Sequence, residues 1–213
     1  MNANTASTPL PRAFYARGAV AVARDLLGRV LVSDAGGERV AGRIVEVEAY
    51  RSSGDPASHA FRGRTPRNAV MFGPPGHAYV YFTYGMHHCV NLVCEPEGRA
   101  AAVLIRALEP LEGLDALRRR RSRDDMRSLL RGPGCVAQGL ALSREHDGAD
   151  LARGPLRVLP GGGRRRGERV RRGPRIGIRH GLEWAWRFWF ADDEYVSGPR
   201  RSSQAERAGR VPR

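Results

Sequence analysis

Alternation of apolar and polar side chains predicts a long strand at residues 42–50. Successive residues of a strand point to opposite sides, so even-numbered and odd-numbered side chains are expected on different faces. The even face carries Ile44, Glu46, Glu48 and Tyr50, and the odd face carries Val45, Val47 and Ala49. The strand therefore presents two carboxylates beside an aromatic ring on one face and an apolar surface on the other.

Shorter segments with the same alternation predict the rest of a sheet. These segments are 29–32, 78–94 as a hairpin that turns near Gly85, 99–108 ending near Arg106, 175–179, and 186–190. Three successive strands between residues 78 and 108 imply an antiparallel meander. The aromatic residues of 186–190 are expected in the core.

Apolar residues at helical spacing predict helices on either side of these strands. The first runs from Phe14 to Leu27 and stops at Gly28, and the second opens at Glu109-Pro110 and ends in the arginines 118–121. A third helix follows a glycine-rich entry within residues 132–142.

Two polar segments lack this periodicity. The segment 51–76 is too long for a simple connection, so it is expected to hold short helices or to line a functional site. The arginine-dense segment 160–174 is interpreted as a surface loop, with a phosphate-contacting arm as the alternative.

These elements predict one mixed α/β (α+β) domain with a curved, largely antiparallel sheet, flanking helices and a protruding β-hairpin. The chain has 213 residues, which suits a single core. We expect the domain to span residues 12–198, with disordered tails at 1–11 and 199–213.

The charge of the chain favours nucleic acid as its partner. The formal net charge is +14 and the isoelectric point is about 11.1. No apolar run approaches ~18 residues and the N-terminus lacks the apolar core of a signal peptide, so a cytoplasmic protein without membrane contact is expected. Three cysteines are then expected as thiols.

The chain contains no lysine, so all 36 residues counted as Lys+Arg are arginine. Arginine binds phosphate with two parallel hydrogen bonds but does not supply the neutral amine that a Schiff base requires. Covalent catalysis by a side-chain amine is therefore excluded.

Four separated segments in the middle of the chain carry a resemblance to a known family. The segments IVEVEAY, SHAFRGRTPRN, MFGPPGHAYVYFTYGMHHCVN and VLIRALEPLEG resemble, in order, the motifs of the alkyladenine (3-methyladenine) DNA glycosylases. The similarity extends more weakly from about Leu10 to Gly198. It implies a monomeric base excision repair enzyme that flips an alkylated or deaminated purine out of double-stranded DNA and hydrolyses its N-glycosidic bond. The substrate class includes 3-methyladenine, 7-methylguanine and hypoxanthine, and no cofactor or metal is implied.

The same resemblance assigns catalytic roles. Glu48 becomes the general base that deprotonates water, and Arg106 helps to hold that water. Strand spacing alone does not choose between Glu48 and Glu46, because both lie on one predicted face. A backbone carbonyl of Ile176 or Ile178 is implied as a further water contact.

The resemblance also assigns residues that bind DNA. Tyr50, His59 and Tyr81 would stack on the flipped base, and Asn91 would exclude guanine through its 2-amino group. Tyr84 would intercalate from the tip of the hairpin, which makes this hairpin the DNA-inserting element. Contacts to the DNA backbone are expected from Arg64, Arg67 and Asn68.

Two other classes of function stay open at this point. One is a non-catalytic protein that binds damaged DNA, although Glu48 and Arg106 argue against it. The other is a metal-dependent nuclease, whose activity a chelator would abolish. The run His87-His88-Cys89 suggests a metal site but lacks partner ligands at suitable spacing.

Overall fold

The computed structural model describes residues 8–51, 54–83 and 85–198. Within these ranges the α-helices are α1 (Arg12–Tyr15), α2 (Ala19–Leu26), α3 (Leu114–Arg121), α4 (Met126–Leu129) and α5 (Pro133–Gly139). Short 3₁₀ helices span Ala35–Gly37, Ala69–Phe72 and Arg144–His146. Residues 1–7 of the predicted tail 1–11 and the whole predicted tail 199–213 lie outside the described ranges. Leu10 belongs to the core, and its N–H donates to the carbonyl of Val158 at 2.8 Å.

The strands form one curled antiparallel sheet, which confirms the predicted mixed α/β class. The strands are β1 (Val30–Ser33), β2 (Val40–Arg51), β3 (Ala78–Thr83), β4 (His87–Cys94), β5 (Ala101–Glu112), β6 (Leu156–Leu159), β7 (Val170–Gly173) and β8 (Arg187–Phe190). Their order is β3-β4-β5-β2-β1-β6, and β8 pairs with both β2 and β7. The predicted meander is β3-β4-β5.

Strand β2 organises the sheet because both of its edges are paired. One edge follows β5, while the other pairs first with β1 at residues 40–43 and then with β8 at residues 46–48. The pairing with β5 is irregular here: Ile44 faces Leu108, Glu46 faces Ala107 and Val47 faces Ile105. Val45 and Arg106 are thus left without a partner in this ladder.

This irregularity corrects the predicted face of Ile44. A bulge bends a strand and re-aims its side chains. Ile44 therefore joins the main core together with Val45, whereas Glu46 and Glu48 keep the opposite face.

The two faces of the meander pack against different elements. Helices α2 and α5 cover one face, where they form the main core with Val80, Leu92 and Val103. The segment 54–76 covers the other face, where Met71, Tyr79 and other residues form a second cluster. Alternation along the strands thus separates a helix-covered core from a loop-covered face.

Two predicted helices are shorter than expected. The first is interrupted at Gly18, whose ψ of 134° is not helical, so α1 ends before α2 begins. The prediction of a helix opening at Glu109-Pro110 is wrong, because β5 continues to Glu112. Gly113, with φ +75°, then turns the chain into α3.

The C-terminal third also departs from the predicted strands. Residues 175–179 are irregular rather than extended, and Gly177 has φ +77°. Within the arginine-dense segment, residues 170–173 form β7 and the remainder forms turns. The prediction for 186–190 is confirmed, since Phe188, Trp189 and Phe190 lie in the core.

No helix in the described part of the chain is long and apolar enough to cross a membrane. Cys89, Cys94 and Cys135 carry free thiols.

Candidate active site

A cavity of about 330 Å³ opens between the meander and two irregular segments. The sheet contributes Tyr79, Tyr81, Cys89, Asn91 and Leu104; the segment 54–76 contributes Ala57, His59 and Met71; and the C-terminal irregular segment contributes Ile176, Gly177 and Ile178. Tyr50 and Arg106 also line it. This size falls near the lower end of the ~300–1,000 Å³ range of small-molecule sites.

One wall of the cavity is aromatic. The ring of His59 lies 4.5 Å from that of Tyr81, and the rings of Tyr79 and Tyr81 are 5.4 Å apart. The hydroxyl of Tyr79 lies 3.0 Å from Nδ1 of His59. These contacts fix the orientation of the rings at the mouth of the cavity, where His59 is exposed.

The titratable groups of this wall are held in their neutral forms. Partial burial of the ring lowers the pKa of His59, and the nearby charge of Arg67 lowers it further. Burial raises the pKa of Tyr79 to about 12 and also raises those of Tyr81 and Cys89. The wall therefore presents neutral rings at neutral pH.

Glu48 is buried behind three of the lining residues. Its Oε1 accepts from the backbone N–H of Ile176 at 2.7 Å and lies 3.2 Å from a guanidinium nitrogen of Arg106. Its Oε2 accepts from the hydroxyl of Tyr50 at 2.9 Å. Burial raises the pKa of Tyr50 and the negative charge of Glu48 raises it further, so this phenol stays a donor. The carboxylate is thereby fixed in one orientation.

Glu46 is equally buried but belongs to a different cluster. Its Oε1 accepts from Nε of Arg106 at 3.0 Å and from Nε of Arg187 at 2.7 Å. Its Oε2 accepts from the backbone N–H of Ser197 at 2.6 Å. Among the described residues, all three donors of Glu48 line the cavity, whereas Arg106 is the one donor of Glu46 that does so. The structure thus separates two carboxylates that strand spacing had left equivalent.

Arg106 contacts both Glu46 and Glu48 from the position on β5 that has no partner in the β2–β5 ladder. Burial lowers its pKa, but the negative charges of Glu48 and Glu46 outweigh this effect and raise the pKa overall. Because the bulge re-aims this side chain, one guanidinium contacts both carboxylates and still lines the cavity.

The remaining sequence-predicted residues fall into two groups. Asn91 lines the cavity, and its side-chain amide donates to the carbonyl of Tyr79 at 3.2 Å. Arg64 and Arg67 are exposed, and Arg67 lies over the ring of Tyr81 at 5.6 Å. Tyr84 lies outside the described residues, and its neighbour Gly85 has φ +68°.

Asn68 has a structural environment that sequence reasoning missed. It is 1% exposed, its amide donates to the carbonyls of His59 and Gly63, and its oxygen accepts from the N–H of Thr65. Its amide hydrogens are used within the loop, so this geometry does not support the expected contact with a DNA phosphate.

Further lining residues were not predicted, among them Met71, Tyr79, Cys89 and Leu104. Tyr79 could have been found, since it precedes Tyr81 by two positions and shares its face. Cys89 is the cross-strand partner of Tyr81, a register that the sequence alone does not fix. Met71 lies in the aperiodic segment and carried no signal.

The His87-His88-Cys89 run does not converge on one point. His87 packs on Gly134, while the ring of His88 lies 5.0 Å from that of Phe82. No group of three or more His, Cys, Asp or Glu side chains in residues 8–51, 54–83 and 85–198 is arranged to hold a metal ion.

The model of the methylpurine-DNA glycosylase family matches residues 13–194. The chain belongs to this family. The match covers every described lining residue of the cavity and confirms the resemblance found in the central motifs.

Curated bacterial relatives are similar over nearly their full length. A protein of Streptomyces avermitilis is 50% identical over 206 residues, which is 94% of this chain and 96% of the relative. One from Rhodopseudomonas palustris strain HaA2 is 51% identical, covering 90% and 91%. One from Carboxydothermus hydrogenoformans is 50% identical, covering 88% and 98%. Each is named "Putative 3-methyladenine DNA glycosylase".

Proposed function

We propose that this protein is a monofunctional DNA N-glycosylase that excises alkylated or deaminated purines from double-stranded DNA. Membership of the methylpurine-DNA glycosylase family and the names of its relatives support the hydrolysis of an N-glycosidic bond. The observation that carries the proposal is the buried Glu48, oriented by three donors that themselves line an aromatic cavity.

The flipped purine occupies the cavity. The rings of Tyr50, His59 and Tyr81 stack on its faces, and an alkylated purine that carries positive charge gains ~0.5–2 kcal/mol from such contacts. Asn91 lies beside these rings and disfavours unmodified guanine, because the 2-amino group of that base clashes with it and the base lacks the positive charge that favours 7-methylguanine.

Glu48 acts as the general base. It accepts a proton from a water molecule, the water oxygen bonds to C1′ of the deoxyribose, and the purine departs with the electrons of the N-glycosidic bond. A cationic alkylpurine leaves as a neutral base, which makes it the better leaving group. Arg106 and a backbone carbonyl of Ile176 or Ile178 hold the water. The chain has no lysine to attack the sugar, so the product is an abasic site.

The hairpin formed by β3 and β4 brings the protein to the base. Tyr84 enters the stack and replaces the flipped nucleotide, which offsets part of the few kcal/mol that unstacking costs. Arg64 and Arg67 contact phosphates, consistent with the net charge of +14. One cavity per chain is sufficient for this reaction, so the protein acts as a monomer.

The test is release of a base from defined duplexes. Duplexes with one hypoxanthine or one 7-methylguanine are incubated with wild type, Glu48→Gln and the control Glu97→Gln in buffer with chelator. Glu97 is exposed in the turn after β4 and does not line the cavity. We expect free base and alkali-labile sites from wild type and the control, and almost none from Glu48→Gln.

Two outcomes would contradict the proposal. Tight binding of lesion DNA without base release by the wild type would make the protein a non-catalytic damage-binding protein. Strand cleavage without alkali that chelator abolishes would indicate a nuclease.

A further inference from the structure

A buried ion pair lies next to Tyr50, which lines the cavity. The guanidinium of Arg175 contacts the carboxylate of Asp55 through two parallel hydrogen bonds of 2.6 and 2.7 Å, and both side chains are 0% exposed. The same guanidinium donates to the carbonyl of Ala49 at 3.0 Å. Neither residue lines the cavity.

Arg175 covers one face of Tyr50. Its guanidinium carbon is 4.5 Å from the centroid of that ring and 5.2 Å from that of Trp186. Tyr50 itself lines the cavity and Arg175 does not, so the ring of Tyr50 is the part of this stack that reaches the space proposed for the base. Burial and the charge of Glu48 raise the pKa of Tyr50, and the charge of Arg175 lowers it in part. The charge of Arg175 therefore acts on this ring.

A cation in this position works against a cationic substrate. The face of an aromatic ring attracts positive charge, and a guanidinium on one side weakens that attraction on the other. Repulsion between two unit charges is also strong where water is excluded. Asp55 offsets this repulsion because its carboxylate carries a full negative charge and contacts the same guanidinium.

We infer that Asp55, by neutralising Arg175 behind Tyr50, sets the preference of this site for positively charged over neutral purines. The inference rests on the proposed function and adds a specificity-determining pair to it. Asp55 and Arg175 act through Tyr50 and are positioning residues.

Asp55 has a structural role that the test must separate. Its carboxylate also accepts from the N–H groups of Arg51 and Ala57, which shapes the loop before His59. A purely structural defect would slow excision of every base alike. The informative quantity is therefore the ratio of single-turnover excision rates for 7-methylguanine, which is cationic, and hypoxanthine, which is neutral, in the same duplex sequence.

We expect the two single variants to shift that ratio in opposite directions and the double variant to restore it. Asp55→Asn keeps the shape but leaves the charge of Arg175, so the ratio should fall roughly five- to tenfold, as expected for one charge several ångströms away. Arg175→Gln leaves the charge of Asp55, so the ratio should rise by a similar factor. The double variant removes both charges, so its ratio should return to within about twofold of wild type even if both rates are lower.

Arg43 and Glu168 offer a matched control. Arg43 is also buried, contacts Glu168 at 2.5 Å and lies 4.5 Å from the ring of Phe190, which does not line the cavity. Glu168→Gln removes a carboxylate from an arginine stacked on a ring, as Asp55→Asn does. Its ratio should equal that of wild type.

Each result decides the inference. Equal losses on both bases in Asp55→Asn and Arg175→Gln, or shifts in the same direction, would overturn it. If thermal melting shows that Asp55→Asn does not fold, the rise in Arg175→Gln and its reversal in the double variant carry the test. If the wild type releases neither base, the proposed function fails and the inference fails with it. If the wild type is active but the ratio never changes, the inference alone fails.

Discussion

Glu46 and Glu48 lie two residues apart on β2, but they differ in whether the groups that bind them line the cavity. Glu46 is enclosed by Arg106, Arg187 and the backbone of Ser197. Glu48 is held by Tyr50, Arg106 and Ile176, and all three of these line the cavity. Burial is complete at both positions, so burial alone does not mark a catalytic group. The identity and location of the donors distinguish the two.

The largest expected effect is on Glu48 and its donors Tyr50, Arg106 and Ile176, which together form the open cluster. Glu48→Gln should lower the single-turnover excision rate ~10²–10⁴-fold, because a positioned general base contributes that much. Its melting temperature should stay near that of wild type, since Arg106 keeps its contact with Glu46. A variant that lost stability but retained its rate would reverse the roles of the two clusters.

Glu46→Gln should show the opposite pattern. It removes the negative charge that Arg106 and Arg187 both contact, and breaking a buried ion pair costs ~3–5 kcal/mol of unfolding free energy. Urea denaturation measures this loss, and the rate per folded molecule should stay within about tenfold of wild type. An unchanged unfolding free energy would contradict the structural role of Glu46.

Removing one donor from the open cluster should have an intermediate effect. Tyr50→Phe keeps the ring but deletes the hydroxyl that donates to Glu48, so excision should slow by roughly tenfold, as for a hydrogen bond to a charged group. Tyr195→Phe is the control, because Tyr195 does not line the cavity. Equal rates in the two variants would mean that this hydrogen bond does not orient the base.

The smallest expected effect is a pH dependence of the free energy of unfolding, caused by His59 at the mouth of the cavity. The pKa of His59 is lowered in the folded protein, chiefly by burial, so the unfolded chain takes up the proton first as pH falls. The stability contributed by the neutral ring is therefore complete above pH ~6.5 and is lost as the pH falls toward the lower folded pKa. Solvent at this exposed position screens the effect.

Urea denaturation at several pH values measures this loss. His59→Gln should lose less stability than wild type between pH 7.5 and pH 5.5, values chosen about one unit on either side of the ordinary histidine pKa. An identical loss in both proteins would assign the pH dependence to other groups.

Much of the fold followed from local pattern. The alternation that predicts β2, the hairpin and the meander reflects burial of one strand face, which neighbouring residues specify by themselves. The continuation of β5 through Pro110 was missed, because proline at the start of a helix is the commoner local pattern. The helix proposed from Phe14 was divided by Gly18, where the apolar spacing gave no sign of a break.

The candidate site was predictable in its residue types and motifs but not in its connections. Tyr50, His59, Tyr81, Asn91 and Arg106 were all named from the sequence, and the structure brings them to one cavity. The donors that distinguish Glu48 from Glu46 come from Ile176, Arg187 and Ser197, more than a hundred positions along the chain. No local pattern encodes such contacts.

The sequence by itself determined that this is a basic, lysine-free α/β chain with the motifs of a purine glycosylase. These properties reside in composition, short-range periodicity and motif order, which do not depend on how distant segments meet. The tertiary structure decided which carboxylate is held by donors that line the cavity and that Asp55 pairs with Arg175 against the ring of Tyr50. The bulge in the β2–β5 pairing and long-range burial place these charges, and both arise only when the whole sheet and its loops pack together.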